Sequence, residues 1–383
     1  MNNNGKFDYL DIMRGWAMII MVEVHVFNAF LKPEIKLEGW FPILDFINGI
    51  VAPSFIFIAG FAFIVSSKNK IDDLRSLGPL FRKKLKRIGF IFLVGYLIHI
   101  PYFSLKKNLF YTDESALKRF CNVDVLQCIG LGMLILLILR VIIKSERIFN
   151  LMVLFFLLVF VLLAPIVWHI DFNKFMPLFF ACYFNEIHGS LFPIFPWLGF
   201  LFAGAITAIA VGATASVARK DKDKYKEELF MKGLAIAGLL FFVAAFPAIH
   251  WFKTFTWFEI RPSISFFAQR LGVVFILLYL LRLYCKNRNM SGSYFSVMGR
   301  ESLIVYWLHL QVIYRLYFGG KNINSIVNQS FGVIECLIST LILIVIMIAV
   351  AVIWGSIKKK YPESVRKIFI SFMICGIVFF CIL

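Results

Sequence analysis

Five ionisable residues stand inside or at the edge of long apolar runs: Arg14, Glu23, His25, Arg270 and His309. An ionisable group within a membrane span costs about 2.5–3.5 kcal/mol on insertion scales, so it faces protein or water and is a functional candidate. The first run, Asp11-Ile-Met-Arg14-Gly-Trp-Ala-Met-Ile-Ile-Met-Val-Glu23-Val-His25, is the most informative. Arg14 and His25 are separated by almost three whole helical turns, so both project from one face, about 16 Å apart along the axis. Asp11 and Asn28 extend this stripe by one turn at each end. Glu23 points elsewhere and suits a structural partner on another helix. A neutral imidazole in a dehydrated site is a suitable general base. It could take a proton from a hydroxyl or amine attacking a thioester, or be acylated itself as nucleophile. The residues leave that choice open.

Each candidate also has a structural reading. Arg14 could snorkel to the interface beside Asp11, and His25 could be a hydrogen-bonded packing residue. Both falling on one stripe favours function. His309 is the second catalytic candidate, with Tyr306 and Ser302 at helical spacing, and a packing role competes there too. Arg270 has no adjacent acid. It is expected to face a cavity or a buried carboxylate such as Glu23 or Glu301.

The elements that must hold these residues are helices in lipid. Hydrophobic residues make up 61% of the 383 and charged residues only 16%, against roughly a quarter in a soluble domain. Too little polar surface remains to cover a water-facing globule, so one membrane domain over 1–383 is expected. The net charge of +18 does not point to nucleic acid. It sits in short runs between apolar stretches, as in Arg82-Lys83-Lys84 with Lys86-Arg87, and Lys358-Lys359-Lys360, the pattern of cytoplasmic loops. The seven cysteines form no C-x-x-C pair and no metal-ligand spacing with the six histidines, so neither a disulfide framework nor a metal site is expected. Asp8, Asp11 and Arg14 interrupt the N-terminal run, which therefore does not read as a cleavable signal peptide.

A bilayer core of about 30 Å needs about 20 mainly apolar residues per helix. Such stretches fall at 12–30, 43–66, 87–104, 125–143, 148–168, 193–217, 229–250, 264–284, 299–317, 332–355 and 367–383. The fold class is thus all-α, a polytopic membrane protein of about eleven transmembrane helices. Counted with their flanking helix ends, the connections after even-numbered helices carry 25 Lys and Arg, those after odd-numbered ones 11. The richer set belongs in the cytoplasm, which puts the N-terminus there too. The longer outer connections, 105–124 and 169–192, are candidates for an acceptor-side lid. Trp40, Phe41, Trp168, Trp251 and Trp257 are expected near outer helix ends as an interfacial belt.

Several blocks carry a family resemblance. Tyr9-Leu-Asp11-Ile-Met-Arg14-Gly followed by Met21-Val-Glu-Val-His25 resembles the opening of the transmembrane acyltransferases, with Arg and His separated by ten residues. More closely, the chain is similar to the heparan-α-glucosaminide N-acetyltransferase-like branch. Agreeing blocks are Val51-Ala-Pro53-Ser-Phe-Ile-Phe-Ile-Ala-Gly60, Val123-Asp124-Val-Leu126-Gln127-Cys-Ile-Gly130, Phe192-Pro-Ile-Phe-Pro196-Trp197-Leu-Gly199 and Gly299-Arg300-Glu301-Ser302-Leu-Ile-Val-Tyr306-Trp-Leu-His309. The resemblance implies an acetyl-CoA donor on the cytoplasmic side and a carbohydrate acceptor on the other. One departure matters: the lysosomal animal enzymes carry an Asn at the place of His25 and a His in the following loop. Here the 31–44 connection has no histidine, so the acceptor chemistry of the animal enzymes is not inherited.

The expected roles follow. His25 is the catalytic candidate, with Arg14 orienting the donor from the cytoplasmic end. Asp124 and Gln127 could hold a thioester oxygen or a sugar hydroxyl, or Asp124 could simply cap its helix. CoA phosphates need fixed positive charge. Arg82 and Arg87, with Lys83, Lys84 and Lys86, are the densest option, and topology and lipid headgroups explain the same run. The expected setting is a bacterial-type cytoplasmic membrane, with membrane lipids as partners and a homodimer left open. A transporter or lipid-linked sugar flippase that uses the stripe for binding alone is the rival reading. Broken helices in two related halves would favour it, and the sequence carries no such symmetry.

Overall fold

The computed structural model describes residues 7–68, 70–102, 104–216, 221–252, 260–315 and 321–382. Among them there is no strand, only an isolated bridge between Leu31 and Phe331. The principal helices are α1 (Asp8–Phe30), α2 (Phe41–Asn48), α3 (Val51–Ser67), α4 (Pro79–His99), α5 (Glu114–Cys121), α6 (Val125–Ile142), α7 (Glu146–Leu162), α8 (Ile194–Ser216), α9 (Asp221–Phe252), α10 (Ile264–Cys285), α11 (Tyr294–Arg300), α12 (Ser302–Tyr314), α13 (Val333–Lys360) and α14 (Pro362–Ile382). Among the described residues, six stretches are long and apolar enough to cross a membrane: Phe41–Ser67, Val125–Ile142, Ile194–Gly212, Lys226–Trp251, Ile264–Cys285 and Val333–Lys360. Their outward faces fit lipid. On α13, Ile334, Leu337, Ile338, Leu341, Ile342 and Val345 are all exposed, an apolar surface that water would not tolerate. The chain is an all-helical integral membrane protein.

Every expected apolar stretch falls on helix, with differences in detail; 148–168, for one, is interrupted at Leu163 before a short turn of helix, Ala164–Val167. The stretch 43–66 is two helices turned at Gly49. The stretch 87–104 is the end of α4, which starts at Pro79 and stops at His99 because Ile100 precedes Pro101 and adopts an extended conformation, as a residue before proline must. The stretch 299–317 is broken at Glu301, whose backbone leaves the helical region (φ −97°, ψ 19°) between α11 and α12. The ends at 217, 317 and 383 lie outside the described residues, as does Trp257.

The chain forms two compact units. Unit 1 comprises 1–51, 101–112 and 280–383. In it α1 packs most extensively on α11 and also meets α12 and α13. The α1–α11 crossing is made by two glycines. A Cβ on Gly15 would lie 2.0 Å from the Phe295 carbonyl oxygen, and one on Gly299 would lie 1.9 Å from that of Asp11. Small residues that let backbones touch are how helices associate where lipid removes the hydrophobic drive. Unit 2 comprises 52–100 and 113–279, with α6 against α4 and α8 against α6, α7 and α9. The same device joins α3 to α8: a Cβ on Gly60 would meet the Leu201 carbonyl at 1.9 Å, and one on Gly204 that of Phe57 at 1.9 Å.

Adding one methyl group at the α1–α11 crossing forces two backbones apart. Gly299→Ala is expected to destabilise unit 1 by about 1–3 kcal/mol, the usual cost of overpacking. The thermal midpoint in detergent should fall accordingly. Gly39→Ala, at a position with nothing within 4 Å of the new Cβ, should leave it unchanged.

Candidate functional site

In unit 1 the polar stripe of α1 faces α11 and α12. Nη1 of Arg14 lies 3.3 Å from the Asp11 carboxylate and donates to the Gly299 carbonyl at 3.3 Å. The pairing of Arg14 with Asp11 is therefore present, and the guanidinium also ties α1 to the end of α11. Three turns on, the half-buried ring of His25 lies beside that of His309, with centroids 5.2 Å apart. The Tyr314 hydroxyl stands 3.5 Å from Nδ1 of His25 and 3.4 Å from its carbonyl. His309 is wholly buried, and its Nδ1 lies 2.7 Å from the Val305 carbonyl one turn back. A carbonyl can only accept, so Nδ1 carries the hydrogen, and in the neutral ring the lone pair is on Nε2. Tyr306 is buried and stands edge-on to His309 at 5.7 Å.

The other stripe and span residues fall as follows. Asn28 is exposed, and what it offers is its backbone carbonyl, which accepts from Lys36 at 3.2 Å and Gln329 at 3.4 Å. Glu23 turns away from the stripe toward Asn48, and its Oε1 has no hydrogen-bond partner among the described residues. A cavity of about 400 Å³ opens beside the Arg14 end, lined by Arg300, Glu301, Gly355, Ser356, Lys358 and Lys359 among others. Both oxygens of Glu301 bind Lys358 Nζ, at 2.7 and 2.8 Å. Glu301 is thus held by a lysine of α13. Arg270 itself is buried on α10, its guanidinium 5.4 Å from the Phe266 ring centre.

In unit 2 Asp124 caps α6. Its Oδ1 accepts from the Val125 N–H at 2.7 Å, and Gln127 Oε1 accepts from the Asp124 N–H at 3.2 Å, completing a capping box. The capping role of Asp124 is therefore real. It uses Gln127 Oε1, leaving the fully buried Gln127 Nε2 without a hydrogen-bond partner among the described residues. His99, at the end of α4, places Nε2 3.6 Å from Asp124 Oδ2. One turn earlier, the Tyr96 hydroxyl meets that of Tyr183 at 2.7 Å. The basic run on α4 divides: Arg82 and Arg87 are exposed, while Lys84 turns inward to Ser66 Oγ at 2.8 Å and lies over the Phe63 ring. Trp168 is no belt residue. It is buried, with Nε1 donating to the Phe195 carbonyl at 2.7 Å. Trp251 is exposed, as a belt residue would be.

Tyr314, Tyr96, Tyr183 and the His99–Asp124 approach were not singled out from sequence. His99 carried a signal, an ionisable group ending an apolar run. Tyr314 carried none, because its link to His25 spans 289 positions. Among the described residues no group of three or more His, Cys, Asp or Glu could hold a metal ion.

The connection 169–192 is tied by His188, whose Nε2 lies 2.9 Å from Asp171 Oδ1. That hydrogen bond, helped by the Asn173 N–H, holds the Asp171 carboxyl below its ordinary value. A depressed carboxyl contributes stability above its unfolded value, about 3.9, and loses it as pH falls through the folded one. Protection against amide exchange across 169–192, taken relative to the intrinsic rate at each pH, should therefore fall on acidification below about pH 4. In Asp171→Asn the exchange should already be faster at neutral pH and show no such step.

The family model described as heparan-alpha-glucosaminide N-acetyltransferase, catalytic, matches residues 6–247. No curated protein matches the chain. The family match takes in α1 with Arg14 and His25, α4 with its basic run, and α6 with Asp124 and Gln127. Because it covers well over half of the 383 residues, the chain belongs to the heparan-alpha-glucosaminide N-acetyltransferase catalytic family, a family of membrane acetyltransferases.

Proposed function

We propose that this protein moves an acetyl group from cytoplasmic acetyl-CoA to a carbohydrate acceptor at the outer face of a bacterial-type cytoplasmic membrane. In this reading it has about eleven transmembrane helices and a cytoplasmic N-terminus. The charge asymmetry between alternate connections and the helix under every apolar stretch support that topology. The observation that carries the functional reading is the pair of imidazoles, His25 and His309, at the far end of a stripe that begins with Arg14.

The donor end is the Arg14 end. There Arg300 and Lys359 line the cavity of about 400 Å³, and their fixed charge suits the phosphates of CoA. Arg82 and Arg87 on the exposed face of α4 are the alternative phosphate contacts. Arg14, anchored on Gly299, orients the donor.

At the other end His25 acts on the acetyl carbon in one of two ways. As general base it accepts the proton of the acceptor amine or hydroxyl as that group attacks the thioester carbonyl. The C–S bond breaks, and the CoA thiolate leaves and takes up a proton. As nucleophile, an imidazole nitrogen of His25 forms the C–N bond and expels CoA. The acceptor then attacks the acyl-imidazole, and the ring returns as leaving group. In either route His309 presents Nε2, because Nδ1 donates to the Val305 carbonyl, and it supports His25 as a second proton acceptor. Tyr314 steadies His25 through its hydroxyl.

The test is acetyl-CoA turnover by the purified protein in detergent, read as CoA release and as acetyl transfer to an amino sugar. His25→Ala is expected to lower turnover by about 10²–10⁴-fold, the usual share of a positioned acid–base group, with an unchanged thermal midpoint. Unchanged CoA release by a folded His25→Ala protein would overturn the assignment.

A further inference from the structure

We infer that His99, Asp124 and Gln127 form a second polar site, in unit 2, that takes a sugar hydroxyl or amine. This rests on the reading of the acceptor as a carbohydrate and names the groups that would hold it. Three observations carry it. The first is the Gln127 side chain, fully buried, whose two Nε2 hydrogens have no hydrogen-bond partner among the described residues. A buried amide left without a partner costs free energy, and such groups are rare unless a bound group uses them. Its orientation is not accidental. Oε1 is fixed by the Asp124 N–H at 3.2 Å, so Nε2 is the end left to offer.

The second observation is the gap between His99 Nε2 and Asp124 Oδ2. At 3.6 Å it is too wide for a direct hydrogen bond, and His99 Nε2 has no hydrogen-bond partner among the described residues. Two polar atoms at that separation can both address a third at an ordinary distance of about 2.8 Å. A sugar hydroxyl or amine suits such a gap because it donates and accepts at once. It would donate to Asp124 Oδ2 and accept from Gln127 Nε2 or from an N–H of the His99 ring.

The third observation is the wall. One turn before His99, the Tyr96 ring stacks with Phe179 at 5.4 Å and leans on Phe120 at 5.5 Å, while its hydroxyl meets Tyr183. Phe120, Phe179 and Tyr183 all come from the two connections expected to form a lid. Aromatic faces beside a carboxylate and an amide are the chemistry that holds a pyranose, apolar CH face against ring and hydroxyls against polar groups. Gly95 keeps the amide in place, since a Cβ there would lie 2.9 Å from the Gln127 carboxamide carbon.

The experiment is direct binding without acetyl-CoA, by calorimetry on the full-length protein in detergent, with glucosamine and methyl α-glucoside as probes. The wild type should bind at least one probe. Gln127→Leu, Asp124→Asn and His99→Gln should each weaken that binding ten-fold or more, Asn being kept at 124 because it still caps the helix. Gly95→Ala, which displaces the amide without altering any polar group, should do the same. It decides the matter with His99→Gln if Gln127→Leu fails to give a monodisperse peak on gel filtration. Wild-type affinity in these variants, or a wild type that binds neither probe because the gap holds only water, would overturn the inference. His25→Ala should retain sugar binding, so failure of the catalytic reading appears in turnover and failure of this one in calorimetry.

Discussion

The unit that carries the two histidines depends on a contact that has no side chain in it. Gly15 of α1 sits on the Phe295 carbonyl, and Gly299 of α11 sits on that of Asp11. In lipid nothing pushes apolar helices together as water does, so van der Waals packing and polar contacts must hold them. Backbone-to-backbone approach maximises the first and exposes carbonyls for the second. Arg14 uses one of these, donating to Gly299 from within the crossing. A charged residue that would otherwise be costly in a helix of this kind thereby becomes part of the joint.

That joint has a consequence for His25. The chain leaves α11 at Glu301 and resumes as α12, which carries Val305, Tyr306, His309 and Tyr314. With α1 locked on α11, the direction of α12 is set by the break. The break is held in turn by Lys358 gripping Glu301 with two short contacts. Arg300 is fastened to Ser296 and to the Ser291 carbonyl. The two imidazoles meet because a glycine crossing and a lysine clamp orient the helices that bear them. Neither device touches the rings.

Much of this was legible beforehand, and the illegible part has a physical cause. Helix type and position follow from apolar runs, which depend on local composition alone. The shared face of Arg14 and His25 follows from helical period. The identity of the facing helix does not, because no residue in α1 encodes which of many apolar partners it will meet. The meeting of His25 with His309 and Tyr314 across nearly 300 positions was out of reach for that reason. The division of the α4 basic run was hidden likewise. Lys84 differs from Lys83 only in the helix face it occupies, and a turn of 100° per residue decides which lysine is buried. Trp168 misled in the opposite direction. An aromatic at a helix end suggests an interfacial belt, but its indole found a carbonyl inside the protein.

Polar groups in a membrane protein are costly enough that each must be accounted for. In unit 1 several of them are met within the protein. Arg14 has Asp11 and Gly299, Glu301 has Lys358, and His309 has Val305. In unit 2 the Asp124 cap satisfies the backbone of α6 but leaves the Gln127 amide idle and His99 just short of a carboxylate. A capping box ordinarily lies at a wet helix end, where water takes the spare hydrogens. This one is buried, and the protein offers Gln127 Nε2 no partner among the described residues. In the proposed site a group supplied from outside the chain, bearing both a donor and an acceptor, would satisfy the Gln127 amide and His99 together. The same requirement explains why an amide and a carboxylate stand there at all: two apolar residues would have been cheaper in lipid and would have capped nothing.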